Sequence, residues 1–499
     1  MPFRALSNTS TRTIVRKLVW AAALAAGTGT AADLAAQTPG SQPPPSTSLP
    51  SAQSLPTAQQ NGASPGGSSF QGSVPSGQSS PQTLDLTLDD AIQRGLRNNL
   101  GIILSGTQTA SARAQRLSQL QNLLPSVDAH IQESVMQVNL AAEGLRGPGI
   151  PTIVGPFGYT DLRGTLAWSV VDVKSLRQYM ASKHDFAAAQ LTADDARQMV
   201  ILTVGNAYLL VLADETQVES VDAQVKTSEV SLNQAVESHK AGTAPLLDEL
   251  RARVDTQTLQ QLLIVSQNTL DKDRLALART IGLPLDQKYN LVDREPYAAF
   301  DQVDVNQAIQ QAHANRKDLQ AILEQTKSAQ EMRKAATAER YPKLTTNADY
   351  GLIGVNLAHS HGTVDATGMV SVPLFKEYAL RGDAEQTQSK LDTAKAQLSD
   401  ANAQVEADVR DALLDLKAAQ QSVEVAKSSV DLANEALSEA QQRYKAGVSD
   451  NLAVSQAQRS VAQSNEQYVT SLYRHNIAKL SLARALGAAE NYKSYLGGK

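Results

Sequence analysis

"RYKAGVSDNLAVSQAQ" runs from Arg443 to Gln458, and "SHKAGTAPLLDELRAR", from Ser238 to Arg253, is a worn copy of it. Each sets Lys-Ala-Gly between two long, mostly polar segments. A glycine just past a periodic run supplies the left-handed backbone that ends a helix, and a basic residue before it complements the carbonyl end. The stretch therefore predicts a long helix that turns into an antiparallel partner. The chain does this twice, with its glycines at Gly242 and Gly447.

The flanking segments carry a seven-residue period. Val409, Leu416, Val423, Val430, Leu437 and Tyr444 share one position, and Ala412, Ala419, Ala426, Ala433 and Ala440 lie three residues later. Val204, Val211, Val218, Val225 and Leu232 repeat the first series in the earlier copy. After the second turn the period resumes at Val454, Val461, Tyr468 and Leu482, with Ala457, Ser464, Ser471, Ala478 and Ala485 beside them. Such a register predicts a left-handed coiled coil, and alanine at the second position lets the helices approach closely. A helix from about Leu176 to Lys240 would be roughly 95 Å long at 1.5 Å per residue.

The copying extends far beyond the turns. Ala91-Ile92-Gln93 returns as Ala308-Ile309-Gln310, Gln108-Thr109 as Gln325-Thr326 and Pro125 as Pro342, all at an offset of 217 residues. Val204, Ala207, Gly242 and Leu277-Ala278-Arg279 return as Val409, Ala412, Gly447 and Leu482-Ala483-Arg484 at an offset of 205. The chain reads as a duplication whose first copy holds extra residues between Pro125 and Val204. Gly144–Gly158, "GLRGPGIPTIVGPFG", is the expected place, as an irregular loop; Asn356–Thr363 is its shorter counterpart.

The segments beside those loops alternate. Leu166, Trp168 and Val170 interleave with Thr165, Ala167 and Ser169; Val364, Ala366 and Val370 interleave with Asp365, Thr367 and Ser371. Period two predicts strands with one apolar face, so each copy should hold one hairpin. Four strands cannot close a membrane barrel, and lipid does not tolerate an open edge, so the chain should oligomerise.

The remaining sequence sets boundaries. Arg4, Arg12, Arg16 and Lys17 precede the apolar run Leu18–Ala26, the layout of a signal peptide over residues 1–36. Residues 37–82, rich in Pro, Ser, Gln and Gly, read as a disordered linker. The first repeat is expected over 83–284, a connection over 285–302, the second repeat over 303–487 and a tail over 488–499. Aromatic residues are 4 % of the chain and hydrophobic ones 42 %, a composition suited to long, closely packed helices. A formal charge of −5 gives no basic field for nucleic acid. Cysteine is absent, which removes thiolate metal sites, a cysteine nucleophile and N-terminal cysteine lipidation. No catalytic constellation emerges and no cofactor is expected. His359 and His361 lack a third metal ligand, and His239 sits at a packing position of the heptad.

The duplicated helix–hairpin–long helix–turn–helix order, with "RYKAG" and "LARALG", resembles the TolC-type outer-membrane efflux proteins over about residues 84–487. The resemblance implies a mostly α fold with a small β part. Long coiled-coil hairpins would form a periplasmic α-barrel, and four strands per chain would enter a homotrimeric, 12-stranded outer-membrane barrel. It implies an exit duct for efflux or type I secretion that meets a periplasmic adaptor and an inner-membrane pump. Lys240, Ala241, Gly242, Thr243 and Lys445, Ala446, Gly447, Val448 would be the adaptor-docking tips. Asp248, with Asp450 nearby, would be the candidate gate. Trp168, Val170, Val364 and Val370 would face outer-membrane lipid. Two departures stand out: Ala453 and Gln456 occupy positions where some members carry gating aspartates, and Lys376-Glu377-Tyr378 replaces a usual glycine pair. A structural or adhesive coiled coil without a conduit would satisfy the heptads but has no need of amphipathic strands.

Overall fold

The computed structural model describes residues 69–293, 303–449 and 451–496. The signal-peptide segment, residues 37–68 of the linker, part of the inter-repeat connection and Asp450 lie outside the described residues.

Two matching halves follow one another. The first holds β1 (Leu84–Leu86), α1 (Leu88–Asn98), α2 (Leu100–Gln121), β2 (Ser126–Asn139), β3 (Ile153–Val171), α3 (Val173–Lys240) and α4 (Leu246–Ile281). The second, after β4 (Tyr289–Leu291), holds α5 (Val305–Asn315), α6 (Lys317–Ala338), β5 (Lys343–Gly354), β6 (Ser360–Ser371), α7 (Glu377–Lys445) and α8 (Asn451–Ala485), with a closing α9 (Tyr492–Leu496). Both halves break their first helix at the same place. Asn99 accepts from the Gly101 amide at 2.8 Å to restart the helix, and Arg316 occupies the matching break.

α3 and α7 are 68 and 69 residues long, so each spans about 100 Å. Each changes partners along its length: α3 packs against α2 and α6, then α4, while α7 packs against α5 and α6, then α8. The heptad positions carry the seams. Val409, Ala412, Leu416, Val423, Ala426 and Ala433 are buried on α7, and Val454, Val461, Ser464, Ser471 and Ala478 on α8. Burying each valine or leucine contributes about 1.5–3 kcal/mol, and the alanines permit the close approach.

One 18-residue stretch of α3 is apolar enough to cross a bilayer by composition. Its Val200, Val204, Tyr208 and Val211 instead form the core with Leu277 and Ile281 of α4 and Leu480 of α8. A second core joins Val405, Val409 and Leu416 to Ala308, Ala312 and Leu482. Charge ties the halves as well, with Arg484 of α8 bonding Asp195 of α3 at 2.5 Å, while within the second half Arg316 bonds Asp408 and Asp318 at 2.6 Å each.

Several expectations need correction. The linker is not without order as far as Gln82, because residues 69–82 are stitched to the α1–α2 break. Asn99 Nδ2 donates to the Phe70 carbonyl at 2.6 Å, the Leu100 amide to Gly72 at 2.9 Å and the Ser76 amide to Gly282 at 3.0 Å. The Phe70 ring packs on the first core beside Gly101, where a Cβ would fall 2.3 Å from it. The C-terminal stretch is likewise no free tail. Tyr492 and Leu496 are buried, and the Tyr492 hydroxyl donates to Asp89 at 2.6 Å. The inter-repeat connection contains β4, which pairs in parallel with β1, too short a ladder to leave an alternating pattern. Finally, Gly144–Gly158 is not wholly a loop. β3 starts at Ile153 and pairs with Asn139 and Val138, accommodating Gly155 and Pro156 through a register shift between Met136 and Val138.

Candidate functional site

Two regions carry the features that the sequence singled out: the helix turns and the sheet. At the first turn the Gly242 amide donates to His239 and the Thr243 amide to Ser238, both at 2.9 Å. At the second the Gly447 amide donates to Tyr444 and the Val448 amide to Arg443, both at 3.0 Å. Gly242 and Gly447 have φ of 70° and 72°. These are paired Schellman turns, and glycine is needed because a side chain strains that backbone. No heavy atom lies within 4 Å of a Cβ placed on either glycine, so each turn stands clear of the chain. Lys240, Ala241, Thr243, Lys445, Ala446 and Val448 complete the two tips, and all are exposed.

Behind the tips the helices meet. Asp248, in the first turn of α4, is buried, with Arg251 Nη1 3.7 Å from its carboxylate. Its backbone carbonyl accepts from Asn451 Nδ2 of α8 at 3.4 Å, so the two tips of one chain touch here. Burial and the charge of Asp248 push the Tyr444 phenol up. His239 is more than a packing residue: its Nδ1 lies 2.8 Å from Glu249 Oε2, because the turn folds the start of α4 back onto the end of α3. Leu247, Leu250, Val254 and Leu452 line a groove of about 390 Å³ between α4 and α8, with Arg251 and Arg459 at its sides.

At the other end β2, β3, β5 and β6 form one antiparallel sheet in that order. Its register sorts the side chains. Val127, Leu166, Ala348 and Ala366 share one transverse row and one face; Ile131, Leu162, Leu352 and Gly362 form another row on that face. Trp168, Tyr350, Val364 and Val370 belong to the same apolar face. Val170 sits at a register shift, where β3 moves from the Ser169–Thr345 pair to the Val171–Leu344 pair. It has no partner of its own, a detail the plain alternation conceals. The opposite face carries the row Asp128, Thr165, Asp349, Asp365 and the row His130, Arg163, Gly351, Thr363. On it Arg163 bonds Asp349 at 2.5 Å and Asp161 at 3.2 Å. β2 and β6 are the sheet's edges, each paired on one side only.

Sequence reasoning missed a seam of charge between the halves. Arg177 of α3 bonds Glu331 of α6 at 3.0 Å, His184 Nδ1 lies 2.7 Å from Glu324, and Lys174 pairs with Glu339. The signal was there as opposite charges seven residues apart on two helices, Arg177 with His184 and Glu324 with Glu331. Among the described residues no group of three or more His, Asp or Glu is placed to hold a metal ion. His359 Nδ1 lies 2.8 Å from its neighbour Asn356.

Residues 308–488 match the family model described as outer membrane efflux protein. The toluene efflux pump outer membrane protein TtgC of Pseudomonas putida is 22% identical over 415 residues, covering 81% of this chain and 83% of that protein. TtgF of the same species, also named a toluene efflux pump outer membrane protein, is 25% identical over 313 residues, 62% of this chain and 64% of its own. Among solved structures, VceC of Vibrio cholerae aligns with a TM-score of 0.72 at 20% identity, covering 80% of this chain and 96% of that one. The CmeC outer membrane channel of Campylobacter jejuni aligns with a TM-score of 0.72 at 15% identity, covering 91% and 98%. The fold is thus that of the solved outer-membrane channels, and in its second half the chain is similar to the outer membrane efflux proteins.

Proposed function

We propose that the protein is the outer-membrane conduit of a tripartite efflux or secretion assembly and works as a homotrimer. One observation carries this reading. A four-stranded sheet with an apolar face, a charged face and two open edges cannot stand in lipid alone. Three copies supply twelve strands and close it. The apolar face with Trp168, Val170, Val364 and Val370 then meets lipid, and the face with Arg163, Asp349 and Asp365 lines water. The helices continue the duct away from the membrane, and the turns at Gly242 and Gly447 stand at its far end.

That far end is the docking site in this reading. The six tips of a trimer, three of each kind, offer related contacts to a periplasmic adaptor, which links the duct to an inner-membrane pump. The groove lined by Leu247, Leu250 and Leu452 lies directly behind the tips and adds apolar surface to them. Asp248 and Asp450 gate the mouth by holding neighbouring hairpins together. Adaptor binding opens it only by preferring the open arrangement. The protein transports and does not catalyse, and no cofactor takes part. Relatives named for toluene and antibiotic efflux put small organic molecules first among the cargoes.

The test is co-expression with the native adaptor and pump. Export should need all three components, and Gly242→Val with Gly447→Val should abolish it while outer-membrane abundance stays normal. Full export by the double variant would remove the tips from the mechanism. The rival reading, a coiled coil without a conduit, leaves the charged inner face of the sheet without a purpose.

A further inference from the structure

The two hairpins differ at one rung of their seams. On α3 the inward positions Ala207, Asp214 and Val221 are seven residues apart, and on α4 Ser266, Asp273 and Thr280 continue the facing series. The rung between the helices is therefore two half-buried carboxyl groups, Asp214 and Asp273, joined by a hydrogen bond. At the offset of 205 residues the second hairpin has Ala419 and Ala478 there, packed in or against the second core. Asp214 Oδ2 is shut away from the surface and accepts no hydrogen bond from the described residues, a poor setting for a negative charge. Among those residues no cation compensates the pair. Next along the same seam, Glu215 and Arg274 bond each other at 2.8 Å. From α8, Tyr473 faces both acids, and burial together with their charges pushes its phenol up to about 12. His475 and Lys479 are buried further along α8, where Lys479 acts on His475 and neither bears on Asp214.

We propose that Asp214 and Asp273 form a proton-operated clamp on the α3–α4 hairpin. With one proton between them they join the helices, the carboxylic acid O–H of one donating to the carboxylate of the other. When that proton leaves, two negative charges face each other across the seam and push the helices apart. The pair sits where a small opening has a long reach. Val211 and Leu270 are the buried members of the first core nearest the turn, and the pair lies beside them. From Asp214 to Lys240, α3 runs on for about 40 Å at 1.5 Å per residue, so movement at the pair is enlarged at Gly242. Burial comes first in raising Asp214 to about 7, followed by the hydrogen bond and charge of Asp273. An acid so raised gives up its proton near neutrality, so the clamp is closed below about pH 7 and released above it. The α7–α8 seam, with alanine on both sides, lacks this switch. Duplication has thus left one hairpin responsive to pH and one that is not. The clamp stands apart from the conduit reading, but its consequence rests on that reading: the Gly242 turns loosen at alkaline pH while the Gly447 turns keep their place.

Hydrogen–deuterium exchange of the full-length protein in detergent, at pH 6 and pH 8, tests the clamp. With the intrinsic rate divided out, amides of residues 211–221 and 267–277 should exchange about tenfold faster at pH 8, the factor for one pH unit beyond the midpoint of the pair. Amides of residues 416–426, around Ala419, should keep one rate. Asp214→Ala with Asp273→Ala gives the first seam the residues of the second and should abolish the difference. Asp214→Asn, close to isosteric, should do the same if the double variant fails to fold. Equal exchange at both pH values in the parent, the same rise around Ala419, or a rise that survives the substitutions would each overturn the clamp. Conductance of parent and variant in a planar lipid bilayer at the same two pH values tests the consequence, and it should rise at pH 8 in the parent alone. Flat conductance beside pH-dependent exchange would overturn the consequence at the mouth. Absence of conductance at both pH values would contradict the conduit reading, and the exchange result would still decide the clamp.

Discussion

Asp365 stands opposite Asp349 across the β5–β6 ladder, while Val364, one residue earlier, stands opposite Tyr350. Like charges directly opposite one another are unfavourable in a sheet. Here Arg163 reaches over from β3 to Asp349 at 2.5 Å and offsets the repulsion. Gly351, facing Arg163 in the ladder, leaves the space for that side chain: a Cβ there would come within 2.9 Å of the Arg163 Cβ. One face is built around charge, and the other is mostly apolar, its Glu133 accepting from the Thr160 hydroxyl at 2.6 Å.

That division predicts a directional response to a new charge. Val364→Lys places an ammonium on the apolar face and should cost about 2–4 kcal/mol near the bilayer midplane. Thr367→Lys places the same group on the polar face beside Asp365 and should leave assembly intact. Outer-membrane abundance of folded protein checks the pair, and equal losses would contradict the facing.

The seam between α7 and α8 makes a second prediction. Ala426 is buried at a heptad position, whereas Ala418 is exposed. Ala426→Leu should overpack the contact and destabilise by about 1–3 kcal/mol. Ala418→Leu should stay within about 0.5 kcal/mol. Thermal denaturation of the two variants against the parent decides it.

A buried acid pair gives the third. Burial, together with the hydrogen bond and charge of Asp273, raises the Asp214 carboxyl to about 7. An acid whose folded value is raised binds more protons folded than unfolded, so its contribution to stability falls as pH rises from about 4 to about 7. His475 acts the other way: burial lowers it to about 4, so its contribution grows between about pH 4 and 6.5. Asp214→Asn should remove the first effect and stabilise the protein at pH 8, by roughly 1–2 kcal/mol after allowing for partial exposure. Denaturant midpoints of parent and variant at pH 5 and pH 8 supply the comparison, and a gap between them that does not widen with pH would refute the assignment.

The turns make the fourth. Gly447→Ala puts a side chain at φ 72° and should cost about 1 kcal/mol, confined to the ends of α7 and α8. Hydrogen exchange should quicken around Lys445 and Val448 and stay unchanged at Val409 and Leu416. Uniform quickening along α7 would mean that the turn governs the whole coil.

Much of this architecture was legible because it is periodic. Val409, Leu416 and Val423, with Ala412, Ala426 and Ala433, fall on the seven-residue period and are buried, and Gly242 and Gly447 take the left-handed backbone that a helix stop requires. What escaped notice was aperiodic or depended on distant partners. β1 and β4 have three residues each and acquire their meaning only from one another. Phe70 and Tyr492 lie in stretches with no period, and both pack on a core that also takes in Val204 and Leu277 from distant helices. At Val170 the register shift is set by the facing strand, which β3's own alternation cannot reveal.

The central claim is that copies of this chain close one sheet around a water-filled passage. It is tested most directly by purifying the protein from outer membranes in detergent, weighing it by native mass spectrometry and adding the same sample to a planar lipid bilayer. The account predicts a mass of three chains and stepwise increases in conductance. A monomeric mass with no conductance would contradict it.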